Sequence, residues 1–527
     1  MLKKFKFEIL IIAAFILIHL PSLGYDTFNT DSWKWKARIY DFGSGVFGFH
    51  FERTIQKYHP GVPLMWIGAI AVKVYNLYYD LVFKTNPADN SLTTVFELNF
   101  IQKLFIVMTI AITLAFVFYP LKKLFGTRYA VIFVLFLSLE PFYIALTREI
   151  HLEGLMSTFM LASFVWLYYW LRDKKKHRLI LSGIFAALAV LTKSSSLSLL
   201  PLSGILMFLN EYFDSKNFRQ SLINSLKIYF VWLLLFIAGF VLIWPAMWVA
   251  PLKALDTVYR GIFTIGVERG HEQFYFSKYV LDPGYSFYFV ILALKSSIYL
   301  IPGLIGFLFI RKRLDSNKQR FALYSFLFGI IYFIEISYPS AKLDRYLIPT
   351  ILSFVFISTF FYERLHKYLL LALIIPGILI LVSLHPDYFS YYSPYFGGLS
   401  NGIKIVEPKW LIGEPAVSKY FSALKVQKNL ESFAPDDNLE RMLNNSQSNN
   451  KLVIAFQEKY YTQIWPFISQ IGGRAIIESL TPYAKKANYF VYPVWDDASV
   501  REKRFKLQYV GSISERGVNL YNVYQKI

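Results

Sequence analysis

The chain has 527 residues, of which 55% are hydrophobic and 19% aromatic, and its formal net charge is +20. It contains no cysteine, which excludes disulfides, thiolate nucleophiles and cysteine-based metal sites. A soluble chain of this length would not need so much apolar surface, because large soluble proteins divide into domains. The cations fall in short clusters between apolar stretches, which favours membrane topology over nucleic-acid binding as their explanation.

Eleven apolar segments are long enough to cross a bilayer, since a spanning helix needs about 20 mostly apolar residues. They are 7–24, 99–120, 129–146, 152–171, 179–193, 196–212, 225–248, 286–310, 320–338, 346–362 and 368–384. The first resembles a signal peptide, but no cleavage site follows, so we interpret it as an uncleaved helix. Segment 62–83 is interrupted by Lys73, Asn76 and Asp80 and is predicted to be interfacial or re-entrant.

The distribution of basic loops supports this count of spans. With the N-terminal lysines in the cytoplasm, every second loop is basic, as the positive-inside rule requires. Counting 62–83 as a span would invert this pattern downstream. We therefore expect an integral membrane protein of a prokaryotic plasma membrane with a cytoplasmic N-terminus. Of the loops on the outer face, 25–98 and 249–285 are long, and long ordered loops are usually functional.

The chain changes character after residue 384. Residues 385–527 are more polar, with the low-complexity tract 444–450, and contain alternating apolar segments typical of strands. The predicted elements are a helix at 410–425, strands at 451–456, 473–479 and 487–494, and a closing hairpin at 505–513 and 517–524. We therefore predict a transmembrane module of residues 1–384 and a small α/β extracytoplasmic domain of residues 385–527.

Polar groups at membrane depth or at its edge are costly and often functional. Asp31 follows the first helix among aromatic residues, where partial desolvation would raise its pKa and make it a better base. The alternative role is a helix N-cap. His59, in a proline-bounded turn of the same loop, either contacts a ligand or makes a structural hydrogen bond, and the second is the more common use.

Four ionisable residues lie within six positions between two predicted spans, namely Arg148, Glu149, His151 and Glu153. His151 and Glu153 could share a metal ion, but two ligands at this spacing are weak support for a metal site. A hydrogen-bonded turn is the alternative interpretation.

Further charges lie near the predicted outer ends of spans or, for Lys295, inside the span 286–310, away from the basic cytoplasmic loops. They are Lys193, Lys295, Glu335, Lys342 and Arg345. Internal salt bridges are one explanation. A bound anion is the other, because Arg and Lys both suit a phosphate. A carboxylate and several cations at one membrane face would suit group transfer from a lipid phosphate: the cations stabilise the leaving phosphate and the carboxylate accepts a proton.

A series of short motifs runs in order through residues 1–400. They are TDSW (30–33), HPGVP (59–63), Thr147-Arg148-x4-Glu153, Leu191-Thr192-Lys193, Lys295, RYLIP (345–349) and YYSPYFGG (391–398). In this order the chain resembles a GT-C fold glycosyltransferase of the protein O-mannosyltransferase and aminoarabinose transferase branch. Two positions depart from the family pattern, because Ser32 stands where many members have Glu and Glu153 where Asp is usual. These departures leave the acceptor and the proton path open.

The resemblance implies an inverting transfer of a sugar from a polyprenyl-phosphate carrier to a protein, lipid or cell-envelope glycan. It implies Asp31 and Glu153 as the catalytic carboxylates, and no metal or other cofactor for the transfer. We expect the donor phosphate to be bound by Arg148, Lys193, Lys295, Lys342 and Arg345. We expect substrate contacts from His59, His151 and Glu335.

Two other function classes compete with a transferase. A transporter or flippase for a lipid-linked or anionic solute would show inverted repeats and helices broken at mid-membrane. The sequence has no evident repeat, and its charges cluster at one face, which favours an enzyme. A sensor or adhesion protein would act through residues 385–527, which carry no recognisable catalytic set. The sugar, the acceptor, the carrier length and the oligomeric state are not indicated by the sequence.

Overall fold

The structure is a computed structural model that describes residues 6–88, 91–265, 272–433 and 450–527. Helices dominate the chain up to residue 384. In order they are α1 (Lys6–His19), α2 (Thr30–Phe47), α3 (Val62–Phe83), α4 (Leu92–Phe125), α5 (Thr127–Ser138), α6 (Pro141–Thr147), α7 (Leu152–Asp173), α8 (Lys176–Thr192), α9 (Leu199–Ser215), α10 (Phe218–Ile243), α11 (Ala246–Val249), α12 (Pro251–Arg260), α13 (Phe287–Lys295), α14 (Leu300–Ile310), α15 (Ser316–Ser337), α16 (Ile348–Tyr362) and α17 (Lys367–Leu384).

Among the described residues, seven helices are long and apolar enough to cross a membrane, or nine if each of two bent pairs is one span. The bends are 73° between α5 and α6 and 99° between α13 and α14. At the first bend Pro141 disfavours a helical conformation of the preceding residue. The predicted spans 7–24 and 179–193 correspond to the shorter helices α1 and α8. The polytopic helical fold is therefore confirmed, and the count of eleven crossings stays a prediction.

Helix α3 covers the segment predicted to be interfacial or re-entrant. It forms one unbroken helix of 22 residues, Val62–Phe83. It is not among the helices of the described chain that are apolar and long enough to cross a membrane.

Helix α7 lies at the centre of the bundle. Every residue from Leu152 to Leu171 is buried, and the helix packs against α4, α8 and α16. Its first turn carries Glu153, whose side chain has no exposed surface. The central position of α7 therefore places a carboxylate in the protein interior, where it requires cationic or hydrogen-bonding partners.

The C-terminal region contains a mixed five-stranded sheet, as the sequence predicted. The second long loop, earlier in the chain, contains a small hairpin of β1 (Gln273–Tyr275) and β2 (Lys278–Val280). The strands of the C-terminal sheet are β3 (Val453–Phe456), β4 (Arg474–Ile477), β5 (Tyr489–Pro493), β6 (Leu507–Glu515) and β7 (Val518–Lys526). The sheet order is β4-β3-β5-β7-β6. Strand β3 is parallel to β4 and β5, while β7 is antiparallel to β5 and β6.

The remaining helices surround this sheet. They are α18 (Gly398–Ile405), α19 (Glu414–Gln427), α20 (Glu458–Gln470), α21 (Thr481–Ala484) and α22 (Ser499–Phe505). Helix α19 confirms the helix predicted at 410–425. The polar tract predicted at 444–450 lies outside the described residues apart from Asn450. The division into modules at residue 384 coincides with the end of α17 and stays a prediction.

Helix α20 attaches the C-terminal region to the start of α2. The indole of Trp33 donates a hydrogen bond to the carbonyl of Thr462 (2.6 Å), and the Thr30 hydroxyl donates to the carbonyl of Lys459 (3.1 Å). The rings of Phe28 and Phe467 meet edge to face, with centroids 5.8 Å apart. These contacts hold the C-terminal region over the first loop, next to Asp31.

Candidate active site

A cavity of about 740 Å³ lies where the ends of several membrane helices meet the C-terminal region. Its wall combines carboxylates, cations and aromatic rings from distant parts of the chain. Its charged lining residues and histidine are Asp31, His59, Lys193, Glu272, Glu335, Lys342, Arg345, Glu407, Lys409 and Lys459. Five of the residues predicted to bind substrate or donor therefore line one cavity together with Asp31.

Asp31 lies in the first turn of α2, and it does not cap that helix. The cap is Asn29, whose backbone is extended and whose side-chain oxygen accepts a hydrogen bond from the Ser32 amide at 2.8 Å. The alternative interpretation of Asp31 as an N-cap is therefore wrong. Its side chain is 28% exposed and faces the cavity, which leaves it available for another role.

Asp31 belongs to an ionic network that we call the cavity cluster, consisting of Asp31, His151, Glu153, Lys193 and Arg345. His151 stands between the two carboxylates, with Nε2 3.3 Å from Asp31 and Nδ1 in contact with Glu153. The Lys193 ammonium lies 2.8 Å from Glu153. The Arg345 guanidinium reaches both carboxylates, at 3.3 Å from Asp31 and 3.5 Å from Glu153. Two carboxylates therefore share three cationic partners when His151 is protonated.

The surroundings of Asp31 act on its pKa in opposite directions. Burial raises the pKa of this carboxyl, but the hydrogen bond and charge of His151, together with the charge of Arg345, hold it well below its usual range. Burial therefore acts in the expected direction, but the expectation of a raised pKa at Asp31 is wrong. The sequence could not show that two cations would face this carboxylate.

His151 shows the reciprocal effect. Burial lowers the pKa of its imidazole, but the charge of Glu153 and the hydrogen bond to Asp31 outweigh burial, and the pKa lies above its ordinary value. The imidazolium form is therefore the form that this arrangement of carboxylates favours.

Aromatic rings enclose the cavity cluster, and one of them comes from the C-terminal region. Trp410 meets the His151 ring edge to face, with centroids 5.0 Å apart, and its ring centroid lies 4.7 Å from the Arg345 guanidinium. The Lys193 ammonium lies 3.6 Å from the centroid of the Tyr346 ring. At these distances the rings attract the two cations through cation–π interactions, which help to hold the cations in place. Nothing in the local sequence around Trp410 had indicated that it would enter the site.

Arg148 belongs to a second network, which we call the closed cluster, consisting of Asp26, Lys103, Arg148 and Glu149. Arg148 binds Asp26 at 2.8 Å and two backbone carbonyls at 2.6 and 2.8 Å. Lys103 binds Asp26 at 2.9 Å and Glu149 at 3.2 Å. All four side chains are almost completely buried, and none lines the cavity. The structure therefore does not bring Arg148 to the cavity.

Lys103 was missed as the partner of these carboxylates although a signal was present. It lies inside the predicted span 99–120, where an isolated cation requires a partner. The closed cluster also accounts for the burial of Asp26, the carboxylate that follows the first helix, because Lys103 and Arg148 pair with it. The sequence pattern thus contained two acidic residues after that helix, and only the fold distinguishes them.

Two predicted donor-binding lysines have protein partners. Lys295 donates to the carbonyls of Tyr391 (2.8 Å) and Phe389 (3.2 Å), and it lines a gap of about 10 Å³ beside Arg345. Lys342 lines the main cavity and lies 2.8 Å from a carboxylate oxygen of Asp282.

Glu335 and His59 line the cavity with polar atoms that have no partner in the described chain. These atoms are Oε2 of Glu335 and Nδ1 of His59, and both are buried. Burial, followed by the charge of Lys193, lowers the pKa of His59 to about 3, so its ring is neutral near pH 7. Both groups are available to a ligand that offers hydroxyl groups or other polar atoms.

Within the described ranges, no three His, Asp or Glu side chains are grouped so that they could hold a metal ion. The expectation that transfer needs no metal stays a prediction.

Comparison with known proteins gives one match to a family and several to solved structures. Residues 91–244 match the model of the family described as dolichyl-phosphate-mannose-protein mannosyltransferase. No curated protein matches the chain in sequence. The ArnT structure from Cupriavidus metallidurans bound to undecaprenyl phosphate has a TM-score of 0.48 and 11% identity, covering 98% of this chain and 97% of that chain. The apo form of that protein has a TM-score of 0.48 and 12% identity, with the same coverage.

A structure of the oligosaccharyltransferase from Archaeoglobus fulgidus tethered with an acceptor peptide has a TM-score of 0.37 and 11% identity, covering 92% of this chain and 69% of that chain.

The matched family segment runs from the start of α4 to the end of α10 and includes Arg148, Glu153 and Lys193. The family match confirms, over that segment, the resemblance of this chain to the glycosyltransferases of the protein O-mannosyltransferase branch.

Proposed function

We propose that the chain transfers a sugar from a polyprenyl-phosphate carrier to an acceptor hydroxyl at the outer membrane face, with inversion at the anomeric carbon. The observation that carries the proposal is the shared cavity, in which the Asp31 carboxylate faces the same space as Lys193, Lys342 and Arg345. A lipid phosphate needs cations at the membrane edge, and an acceptor hydroxyl needs a proton acceptor. The cavity offers both.

In the proposed step the acceptor oxygen attacks the anomeric carbon, and the bond from that carbon to the phosphate oxygen breaks. The electron pair leaves with the phosphate, whose charge Lys193, Lys342 and Arg345 stabilise. The Asp31 carboxylate accepts the proton of the hydroxyl. Attack on the face opposite the leaving phosphate inverts the configuration of the sugar.

Donor binding would also adjust Asp31 for this role. In the free site Arg345 lies 3.3 Å from Asp31, and the cations hold the pKa of the Asp31 carboxyl low. A phosphate that attracts Arg345 would weaken this pair. The pKa of Asp31 would then rise toward a range in which proton transfer is more favourable. The site would thus become more basic only when the donor is present.

Glu153 has a supporting role in this proposal. Its side chain has no exposed surface, and it contacts His151, Lys193 and Arg345. A carboxylate so enclosed orients the cations that face the cavity, whereas Asp31 is the member of the pair that an acceptor reaches directly. Glu335 and His59, each with a buried polar atom that has no partner among the described residues, would contact hydroxyl groups of the sugar or the acceptor.

The test is transfer of radiolabelled sugar by the purified protein from a panel of polyprenyl-phosphate sugars, followed by extraction of lipid, glycan and protein products. Release of free polyprenyl phosphate together with a labelled product supports the proposal. A protein reconstituted in vesicles that moves the intact lipid-linked sugar across the bilayer without breaking the sugar–phosphate bond would identify a flippase and contradict it.

A further inference from the structure

A second groove lies at the opposite end of α15 from the candidate active site. Glu335 of the cavity lies near the C-terminus of this helix, whereas Ser316, Gln319 and Arg320 of the groove lie in its first turns. A helix of 22 residues is about 33 Å long, because each residue adds about 1.5 Å. The basic end of the groove therefore lies roughly 28 Å along α15 from Glu335, and the apolar wall extends from that end as far as Phe326.

The groove has a volume of about 1060 Å³ and runs between α14 and α15. Both helices pack against α16, which supplies Phe354 and Ile357 to the groove. Along its length the wall is apolar. Its apolar side chains from α14 and α15 include Ile301, Leu304, Ile305, Leu308, Leu323 and Phe326. Such a channel has the shape and polarity of a site for an acyl chain.

One end of the groove is cationic. Its basic lining residues are Lys216, Arg311, Lys312 and Arg320. Two carboxylates lie near them: Asp214 binds Arg320 at 2.7 Å, and Asp315 caps α15 by accepting a hydrogen bond from a backbone amide. Within the described residues Arg311 and Lys312 form no ion pair, and both are exposed. This end of the groove thus carries an excess of positive charge beside the neutral side chains of Ser316 and Gln319.

We propose that this groove is a binding site for an anionic phospholipid, with an acyl chain between α14 and α15 and the phosphate at Arg311 and Lys312. The apolar walls alone cannot select a lipid, because bilayer tails are as apolar as leucine side chains. The cations provide the selectivity, as basic pockets between membrane helices do for anionic head groups. The positive-inside rule predicts that this end of the helices is cytoplasmic.

The experiment is native mass spectrometry of the full-length protein with phosphatidylglycerol and phosphatidylcholine of identical acyl chains. The charge variant is Arg311→Gln with Lys312→Gln. The matched control is Lys175→Gln with Lys176→Gln, which removes the same charge from another exposed basic loop that does not line the groove. Leu304→Trp fills the apolar wall without altering the charge.

We expect the unmodified protein and the control to retain phosphatidylglycerol at least about tenfold better than phosphatidylcholine, since two basic residues attract the anionic head group. The charge variant should lose this preference, and Leu304→Trp should bind less of both lipids at the site. Added inorganic phosphate should not displace the lipid.

Three results would overturn the proposal: equal retention of the two lipids by the unmodified protein, an equal loss in the control variant, or displacement of the lipid by inorganic phosphate. If the charge variant does not fold, unchanged lipid retention by folded Leu304→Trp would also overturn it. The outcome is independent of sugar transfer, because no residue of the cavity cluster is altered.

Discussion

The closed cluster and the cavity cluster contain the same kinds of side chain, yet they differ in what they can bind. In the closed cluster two carboxylates and two cations satisfy one another, and their side chains are at most 2% exposed. In the cavity cluster Asp31 is 28% exposed, and both its partner Arg345 and the Glu153 partner Lys193 also line the cavity. Charge at membrane depth therefore marks an interior network in one case and a candidate site in the other.

The two clusters separate within six residues of sequence. Arg148 and Glu149 precede α7 and pair with Asp26 and Lys103. Glu153 lies in the first turn of α7 and belongs to the cavity cluster through its ion pair with Lys193. The charged segment 148–153, which is continuous in the sequence, is thus divided between a structural network and a candidate catalytic network.

The largest expected effect is on catalysis. Asp31→Asn keeps the shape of the side chain but removes the proton acceptor, and loss of a general base typically lowers the rate by about 10²–10⁴-fold. Sugar transfer by the purified variant measures this, and the variant should still fold and bind the donor. Asp41→Asn is the control, because Asp41 is on the same helix, is exposed and does not line the cavity. Near-normal transfer by Asp31→Asn would contradict the proposed role.

The next effect is on stability. Lys103→Met leaves Asp26 and Glu149 without their shared cation, and breaking a buried ion pair typically costs about 3–5 kcal/mol. Thermal unfolding should show a large loss. Lys193→Met is the matched change in the other cluster, and it should cost less because Glu153 keeps His151 and Arg345. Equal losses would show that the two clusters do not differ in this way.

The third effect is on donor affinity, which should fall in variants of the cavity cluster. Lys193→Ala and Arg345→Ala each remove a proposed charged contact to phosphate, and such a contact is worth about 1.5–3 kcal/mol, or roughly tenfold or more in the dissociation constant. Titration with polyprenyl phosphate measures the change. Lys34→Ala is the control, since Lys34 lies 3.7 Å from Asp31 but is 61% exposed and outside the cavity lining. An equal loss in Lys34→Ala would indicate general electrostatic attraction.

The smallest effect concerns pH. The pKa of His151 is raised above its ordinary value of 6.5, since Glu153 and Asp31 outweigh burial. The stabilisation from its charged form is therefore fully present below pH 6.5 and is lost as the pH rises through the folded-state pKa. Each unit of pKa difference is worth about 1.4 kcal/mol. Melting temperatures of the unmodified protein and His151→Gln should converge as the pH increases, and a constant difference would argue against this charge.

Much of the architecture could be predicted from hydrophobic periodicity. All eleven apolar segments contain helix, and the predicted strands of the C-terminal region are present. These features depend on local pattern: a run of apolar residues long enough for a membrane, or an alternation that gives a strand one buried face. The positions of Asp31, Lys193 and Arg345 at one cavity followed from their places at the outer ends of predicted helices.

The tertiary structure decided what local pattern does not contain, namely which charges face one another. It assigned Arg148 to Asp26, gave Asp31 the partners that lower the pKa of its carboxyl, and brought Trp410 into the site from the C-terminal region. Each of these depends on contacts between residues that are more than 100 positions apart. Electrostatic energies fall with distance and rise with burial, so they are properties of the folded arrangement. Composition and spacing determined that this chain forms membrane helices with charged residues near their ends, and packing determined which of those charges face the cavity.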